Sequence, residues 1–293
     1  MSNIIYKALR YSGAAWLWRE TVQRGKVTFL LFHDMATADA ERNFSYLKRH
    51  YNIIGLQDYL KAVRQGTKLP RKALVITFDD GHASNHAMLP ALKKLNVPIT
   101  IFLCSEIVGT QRHFWFRHSE EMKPQVEALK RIANSERLQK LEAFGFEQEK
   151  EFADRQALTD KEIAEMQTLV DFQSHTCFHP ILPQCDTATA RHEIVDSKLQ
   201  LVQQYNLKIN TLSYPNGDYS DRDIQLTKEA GYECGVTVDS GYNTLRSDLF
   251  RLKRFSVNDA HTTEELMVKA CGLYALIKHK LHKPSYGFKP SLK

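Results

Sequence analysis

The chain has 293 residues, 43% hydrophobic and 25% charged, an ordinary balance for one large α/β domain or two small ones. Its formal net charge of +6 is mild for this length, and the basic residues are spread out without a recognition motif, so nucleic acid is not an expected partner. No apolar run approaches the ~18 residues that a membrane-spanning helix needs.

Residues 1–26 form a first segment, helical, basic and aromatic, with Arg10, Trp16, Trp18, Arg19, Arg24 and Lys26. It reads either as a helix covering one end of the fold or as an amphipathic helix lying on a membrane surface. Its start, Met-Ser-Asn-Ile-Ile-Tyr, lacks the apolar core and cleavage site of a signal peptide. The five cysteines (Cys104, Cys177, Cys185, Cys234, Cys271) are odd in number and contain no Cys-x-x-Cys pair, as in a reducing compartment. A cytoplasmic location is the expectation.

Beyond residue 26, short apolar β-branched runs alternate with amphipathic helical patterns. Strands are predicted over Val27–Phe32, Ala73–Phe78, Ile99–Leu103, Val170–Ser174, Thr211–Tyr214, Cys234–Val238 and Phe255–Val257. Helices are predicted over Ala38–Arg49, Leu56–Gln65, Ser84–Leu95, Asp160–Gln167, Ala188–Gln204, Asp221–Ala230 and Thr263–Ala270. Such alternation argues for a parallel sheet with helices outside it, and about seven units would close a barrel over residues 27–272.

Residues 109–158 interrupt the rhythm. They are rich in charge and helix formers, as in Lys123–Arg137 and Leu138–Arg155, and read as a helical insertion in one barrel loop. The insertion opens with His113-Phe-Trp-Phe-Arg117, whose aromatics, Trp115 among them, either stack on sugar rings at the mouth or pin the insertion to the barrel. A basic tail, 273–293, carries five lysines and no acid.

Two stretches carry chemistry. Leu74-Val-Ile-Thr-Phe-Asp-Asp-Gly81 runs from a buried strand into two adjacent carboxylates. These repel each other and need a cation or a shared proton, unless they form a solvated turn. Val170-Asp-Phe-Gln-Ser-His-Thr-Cys-Phe-His-Pro180 ends another strand with His175 and His179, four residues apart, so both imidazoles can face one point. Two neutral imidazoles and one carboxylate suit zinc or a similar divalent ion and leave a position open for water. A histidine pair at this spacing can also be structural.

Together these motifs resemble the polysaccharide deacetylases, metal-dependent enzymes that remove N- or O-acetyl groups from sugars. Thr77-Phe-Asp-Asp-Gly81 resembles their first motif and Ser174-His-Thr-Cys-Phe-His-Pro180 their second. The resemblance implies an irregular seven-stranded (β/α) barrel. It also implies Asp79 as general base, with Asp80, His175 and His179 holding one divalent ion, zinc first, with cobalt, nickel or iron as alternatives. The acetyl oxygen would meet the backbone N–H of Asn216, in a loop where Tyr214 and Pro215 flank the substrate. That loop departs from the family pattern: Ser213 stands where the family has an arginine that steadies the base, and Asn216 where it has an aromatic. A substitute cation is required, and Phe250-Arg-Leu-Lys-Arg-Phe-Ser-Val257 offers Arg254, with Arg251 second.

The acid for the leaving amine is the other departure. No Leu-x-His stands near the C-terminus, and His261 reads as a helix-start residue. Phe29-Leu-Leu-Phe-His-Asp34 instead ends the first strand with His33 beside Asp34. This resembles the poly-N-acetylglucosamine deacetylases, in which the first strand carries the acid. His82 either reaches the site or lies at the surface. The resulting expectation is hydrolysis of an acetyl group from an N-acetylated sugar, the substrate being an acetylated glycan or its precursor. The alternatives are an inactive glycan-binding module of the same fold, or a hydrolase of another small amide or of an O-acetyl ester.

Overall fold

The computed structural model describes residues 3–259, 261–275 and 277, so the basic tail past that point lies outside the described residues. The segment before the barrel forms two helices, α1 (Asn3–Tyr11) and α2 (Ala14–Thr21), rather than one. Gly13 breaks them apart with a left-handed φ of 77°.

Eight strands follow among the described residues: β1 (Val27–Phe32), β2 (Asn52–Ile53), β3 (Ala73–Phe78), β4 (Ile99–Leu103), β5 (Val170–Ser174), β6 (Thr211–Ser213), β7 (Cys234–Val236) and β8 (Phe255–Ser256). All ladders are parallel, in the order β7-β6-β5-β4-β3-β1-β8. The short β2, which periodicity does not reveal, pairs with β3 at Ala73 and Leu74, while β4 takes β3 at Thr77 and Phe78. The sheet curls until its ends approach. Leu252 donates its N–H to Gly235 and accepts from the Thr237 N–H, and three residues later Phe255 pairs with Leu30. One short segment, Leu252–Ser256, which includes β8, thus joins β7 to β1 and closes the curl.

Strands β1, β3 and β4 are buried along their whole length because helices cover the outside while side chains fill the inside. Along β3, Leu74, Ile76 and Phe78 join the outer core, and Ala73 and Val75 join an inner cluster with Phe29, Phe102, Val236 and Leu252. The period of two puts Thr77 and Asp79 on the inner side with Val75.

The helices after β1 and β2 are α3 (Thr37–His50) and α4 (Leu56–Gln65). The helix expected over Ser84–Leu95 is a 3-10 stretch, Ala83–Met88, followed by α5 (Leu89–Leu95), because Pro90 starts the α-helix anew. In the insertion the ordered helices are shorter than the composition suggests: α6 (Val126–Leu129) and α7 (Asn134–Glu142). Gly145 turns the chain at φ 75°, and the rest of the insertion, to residue 158, has no helix. Trp115, Met122, Leu129, Leu141, Phe146 and Ile181 form its own apolar cluster. Then come α8 (Asp160–Met166), α9 (Thr187–Tyr205), α10 (Asp221–Glu229) and α11 (Thr263–Ala270). Their N-caps, Thr159, Asp186, Ser220 and Thr262, each accept a backbone N–H three residues on.

Candidate active site

The site sits where β3, β5 and β6 end. Asp79 and Asp80 are 3% and 2% exposed, so neither is the solvated turn that the tripeptide alone allows. The backbone reverses at Asp80 (φ 74°) and Gly81 (φ 75°), which sends the two adjacent carboxylates in different directions. Glycine is favoured at 81 by its positive φ and because a Cβ there would lie 2.7 Å from Leu103 Cδ2. The second motif bends likewise at Thr176 (φ 69°) and His179 (φ 58°), and Thr176 Oγ1 accepts the His179 N–H at 3.1 Å. Among the described residues, four of the seven non-glycine positions with positive φ (Asp80, Thr176, His179 and Asn216) therefore belong to the expected site or its motifs, where such strain commonly gathers.

Asp80, His175 and His179 converge, with one donor atom from each lying within 4.8 Å of the others. His175 Nδ1 lies 2.7 Å from the Ser213 carbonyl, which can only accept, so the proton is on Nδ1 and Nε2 offers a lone pair. That Nε2 is 3.3 Å from Asp80 Oδ1, and His179 Nε2 is 3.4 Å from the same oxygen. Asp80 Oδ1 is buried and has no hydrogen-bond partner among the described residues. Lone pairs that face one another in a buried site fit a cation. The other oxygen, Oδ2, accepts from His82 Nε2 at 2.9 Å, and His82 Nδ1 in turn accepts from Arg117 at 3.0 Å. His82 thus reaches the site and orients the Asp80 carboxylate.

Burial works to raise the pKa of Asp80, but His175 and His82 overcome it and hold the carboxyl well below its usual range. For His175 burial favours the neutral ring, yet the charges of Asp79 and Asp80 prevail and raise its affinity for a proton. Burial dominates at His179 and lowers its pKa to about 3, so that ring stays neutral and free to ligate.

Asp79 is held differently. Arg254, fully buried, grips it with two parallel bonds, Nη1 to Oδ1 at 2.7 Å and Nη2 to Oδ2 at 2.8 Å. Arg254 also donates to Thr77 Oγ1, Ser213 Oγ and the Thr237 carbonyl, and Ser213 Oγ donates to Asp79 Oδ2 at 3.1 Å. Burial alone would raise the Asp79 pKa; Arg254, then His175, bring it below the ordinary value. Arg251 lies outside, paired with Asp248 and Asp221.

Other expected residues fall elsewhere. His33 lies at the mouth, close enough for its charge to lower the Asp79 pKa, but Asp34 does not hold its ring. The Asp34 carboxylate instead accepts from Ser84 and lies 3.5 Å from Arg117. Asn216 is exposed at the rim, in a tight turn that Gly217 closes onto Tyr214. Tyr214 and Pro215 are corrected: both are buried, the tyrosine packs on Tyr219 and donates its hydroxyl to Phe250, and neither offers a face to a sugar. Trp115 is corrected too. It is 2% exposed, donates its indole N–H to the His179 carbonyl at 2.8 Å, and lies under the Arg137 guanidinium, so it pins the insertion. Its neighbour Phe116, only partly buried, packs on the His179 ring at 4.7 Å. His261 is structural, bonded to Asn258 and Asn43.

Sequence reasoning missed Glu193. It is 3% exposed on α9, and one carboxylate oxygen accepts the N–H groups of Cys177 and Phe178, both at 2.9 Å. It thereby fixes the turn between the two histidines. Burial pushes its pKa up to about 7. The signal was there: Ala190, Glu193, Ile194, Ser197 and Leu201 form one helical face, and an acid on a core face needs a reason.

A curled parallel sheet with this acid–imidazole cluster at the C-terminal ends of its strands defines a (β/α)-barrel hydrolase. The family model described as polysaccharide deacetylase matches residues 66–235, more than half of the chain. The chain belongs to the polysaccharide deacetylase family, hydrolases that act on carbon–nitrogen bonds of acetylated sugars. It is 22% identical over 252 residues to the Bacillus subtilis (strain 168) protein YxkH, covering 82% of this chain and 75% of that one. It is 23% identical over 244 residues to the poly-β-1,6-N-acetyl-D-glucosamine N-deacetylase of Staphylococcus epidermidis, covering 79% and 71%. Among solved structures, the Streptococcus pyogenes deacetylase PplD, in complex with acetate, shares the fold with a TM-score of 0.62 at 20% identity, over 84% of this chain and 99% of that one.

Proposed function

We propose that this protein is a metal-dependent deacetylase acting on N-acetylglucosamine residues of a glycan or glycan precursor. The observation that carries the metal dependence is the buried, unpartnered Asp80 Oδ1 facing two imidazole nitrogens at 3.3 and 3.4 Å. The sugar rests on the similarity to the Staphylococcus epidermidis enzyme. Asp80, His175 and His179 would hold the ion, which when bound would supply Lewis acidity and lower the pKa of water toward ~7. Zinc suits the donor set best; cobalt, nickel and iron accept the same ligands.

Asp79 accepts the proton of the attacking water, and Arg254 keeps it ionised and aimed. The Asn216 N–H donates to the oxygen on which negative charge develops. His33 would donate a proton to the amine nitrogen as the C–N bond breaks, so that the sugar leaves as a neutral amine and acetate remains; the proton that Asp79 took from the water then passes by way of solvent to His33 and restores both groups. The working unit is the barrel of residues 27–272, with its insertion at about 109–158 and with 1–26 and 273–293 as flanking segments. All five cysteines are free and buried, which supports a cytoplasmic setting.

The test is acetate release from β-1,6-linked N-acetylglucosamine oligomers by metal-loaded protein, beside Asp79→Asn and His175→Ala. Release that requires the metal and both residues is expected. Bound metal without release would move the proposal to another acyl substrate, and absence of both would overturn it.

A further inference from the structure

Among the described residues, five of the eight exposed large hydrophobic side chains lie on α1 and α2: Ile4, Ile5, Tyr11, Trp16 and Leu17, at 77, 41, 72, 59 and 56% exposure. The other three, Leu199, Val202 and Val238, stand on other elements. At 100° per residue, Ile4, Ile5, Lys7, Ala8 and Tyr11 share one side of α1, all exposed, and Tyr6 and Leu9 face the protein. The exposed side is therefore apolar and aromatic where a surface helix is usually charged.

The inner side is firmly attached. Tyr6 and Ala15 pack with Val268 and Cys271, Arg10 pairs with Glu264 at 2.8 Å, and Trp18 donates to Tyr242 at 2.9 Å. The helices are thus presented on the flank of α11 with their apolar side outward. At nine and eight residues they are far too short to cross a bilayer of ~30 Å.

The charge around this face selects the occupant. Of the basic residues in 3–26, Arg10 is paired with Glu264 and the buried Arg19 with Glu20, which leaves Lys7 and Arg24 exposed and Lys26 half-buried around this face. Tyr274 packs on Tyr6 at 5.8 Å, so the chain leaves the described fold beside α1. The sequence beyond it carries Lys278, Lys280, Lys283, Lys289 and Lys293 and no acid. Aromatic and aliphatic side chains set among lysine and arginine match the interface of a bilayer that carries anionic lipid, and two basic segments strengthen such attachment additively.

We propose that α1 and α2 dock this protein on an anionic lipid surface, with Ile4, Tyr11, Trp16 and Leu17 in the headgroup region. The docking does not depend on the substrate proposed above. The test is flotation of the full chain with phosphatidylcholine vesicles, with and without one-third phosphatidylglycerol, for wild type and the triple variant Ile4→Ser/Trp16→Ser/Leu17→Ser. Wild type should float with the phosphatidylglycerol vesicles only and lose binding in high salt, and the variant should bind about tenfold more weakly. The variant should keep its far-UV spectrum and its acetate release, which separates lost docking from lost folding. No flotation of wild type, or equal flotation of the variant, overturns the proposal. A wild-type dimer that the variant converts to monomer, without flotation, would assign the face to a second copy instead and overturn it as well.

Discussion

Arg254→Met removes the one cation that grips the proposed base. The side chain keeps its volume above Phe102, but Asp79, 3% exposed, loses both parallel hydrogen bonds. Breaking a buried ion pair by removing one partner costs roughly 3–5 kcal/mol, because the other charge stays desolvated. Unfolding entropy of ~2.1 cal/mol/K per residue gives about 0.6 kcal/mol/K for this chain, so the midpoint should fall by roughly 5–8 °C. The sign with pH follows from the direction of the shift. Wild-type Asp79 has a lowered folded pKa, so it contributes stability that is present above the unfolded carboxylate value and lost only as pH falls through the lower, folded one. In the variant burial dominates and the folded pKa rises, so the deficit is largest at neutral pH and shrinks on acidification. The acid limb of kcat/KM should move to higher pH for the same reason. Thermal melts from pH 4 to 8 and pH–rate profiles measure both, and Asp79→Asn/Arg254→Met should recover part of the lost stability. An unshifted acid limb, or a double variant no more stable than Arg254→Met, would refute the pairing as the source of Asp79's charge.

Stripping the protein with chelator should lower its melting temperature, since an ion at a thousand times its dissociation constant stabilises by about 4 kcal/mol, and Asp80→Asn should erase the difference between stripped and loaded samples. Glu193, raised to about 7 by burial, prefers its protonated form in the fold. Wild-type stability should therefore decline as pH rises from about 4.5 to 7, and melts of Glu193→Gln should lack that decline. Gly81→Ala forces a Cβ against Leu103 at a φ of 75°, so soluble yield and metal content, read by atomic absorption, should both drop.

The parts that rest on local chemistry were legible. The strand ends that carry Asp79, Asp80 and His175 are apolar runs broken abruptly by polar residues, and the seven predicted strands fall within two residues of those observed. The need for a cation followed from the resemblance, in which Ser213 stands where the family has an arginine, and of the two candidates named, Arg254 and Arg251, the first meets Asp79. What stayed hidden depends on which way a side chain turns after long-range packing. Trp115 and Tyr214 look like sugar platforms because both are large amphipathic rings in polar loops, yet their polar tips are used on the His179 and Phe250 carbonyls. Asp34 follows His33 directly and suggested a pair, but Ser84, fifty positions on, takes its carboxylate. The insertion's helix formers gave no sign that Gly145 would end the helices early.

The arginine's position ties the closing of the barrel to the proposed chemistry. On the loop after β6 it would depend on that loop's own order. At 254 it lies in the short bridge between the two ends of the sheet, where Leu252 meets β7 and Phe255 meets β1. Its guanidinium then crosses the barrel interior, bonded to Thr237, Ser213, Thr77 and Asp79, which stand at or just beyond the ends of β7, β6 and β3. The bridge has few ladder hydrogen bonds of its own, and this buried polar set adds cross-links where the sheet is weakest. A fully satisfied network of this kind is rigid, and leaving any member unpaired is costly. The same contacts that hold the ends of the curl together therefore fix the orientation of Asp79, so the aim of the proposed base is set by the closure of the barrel.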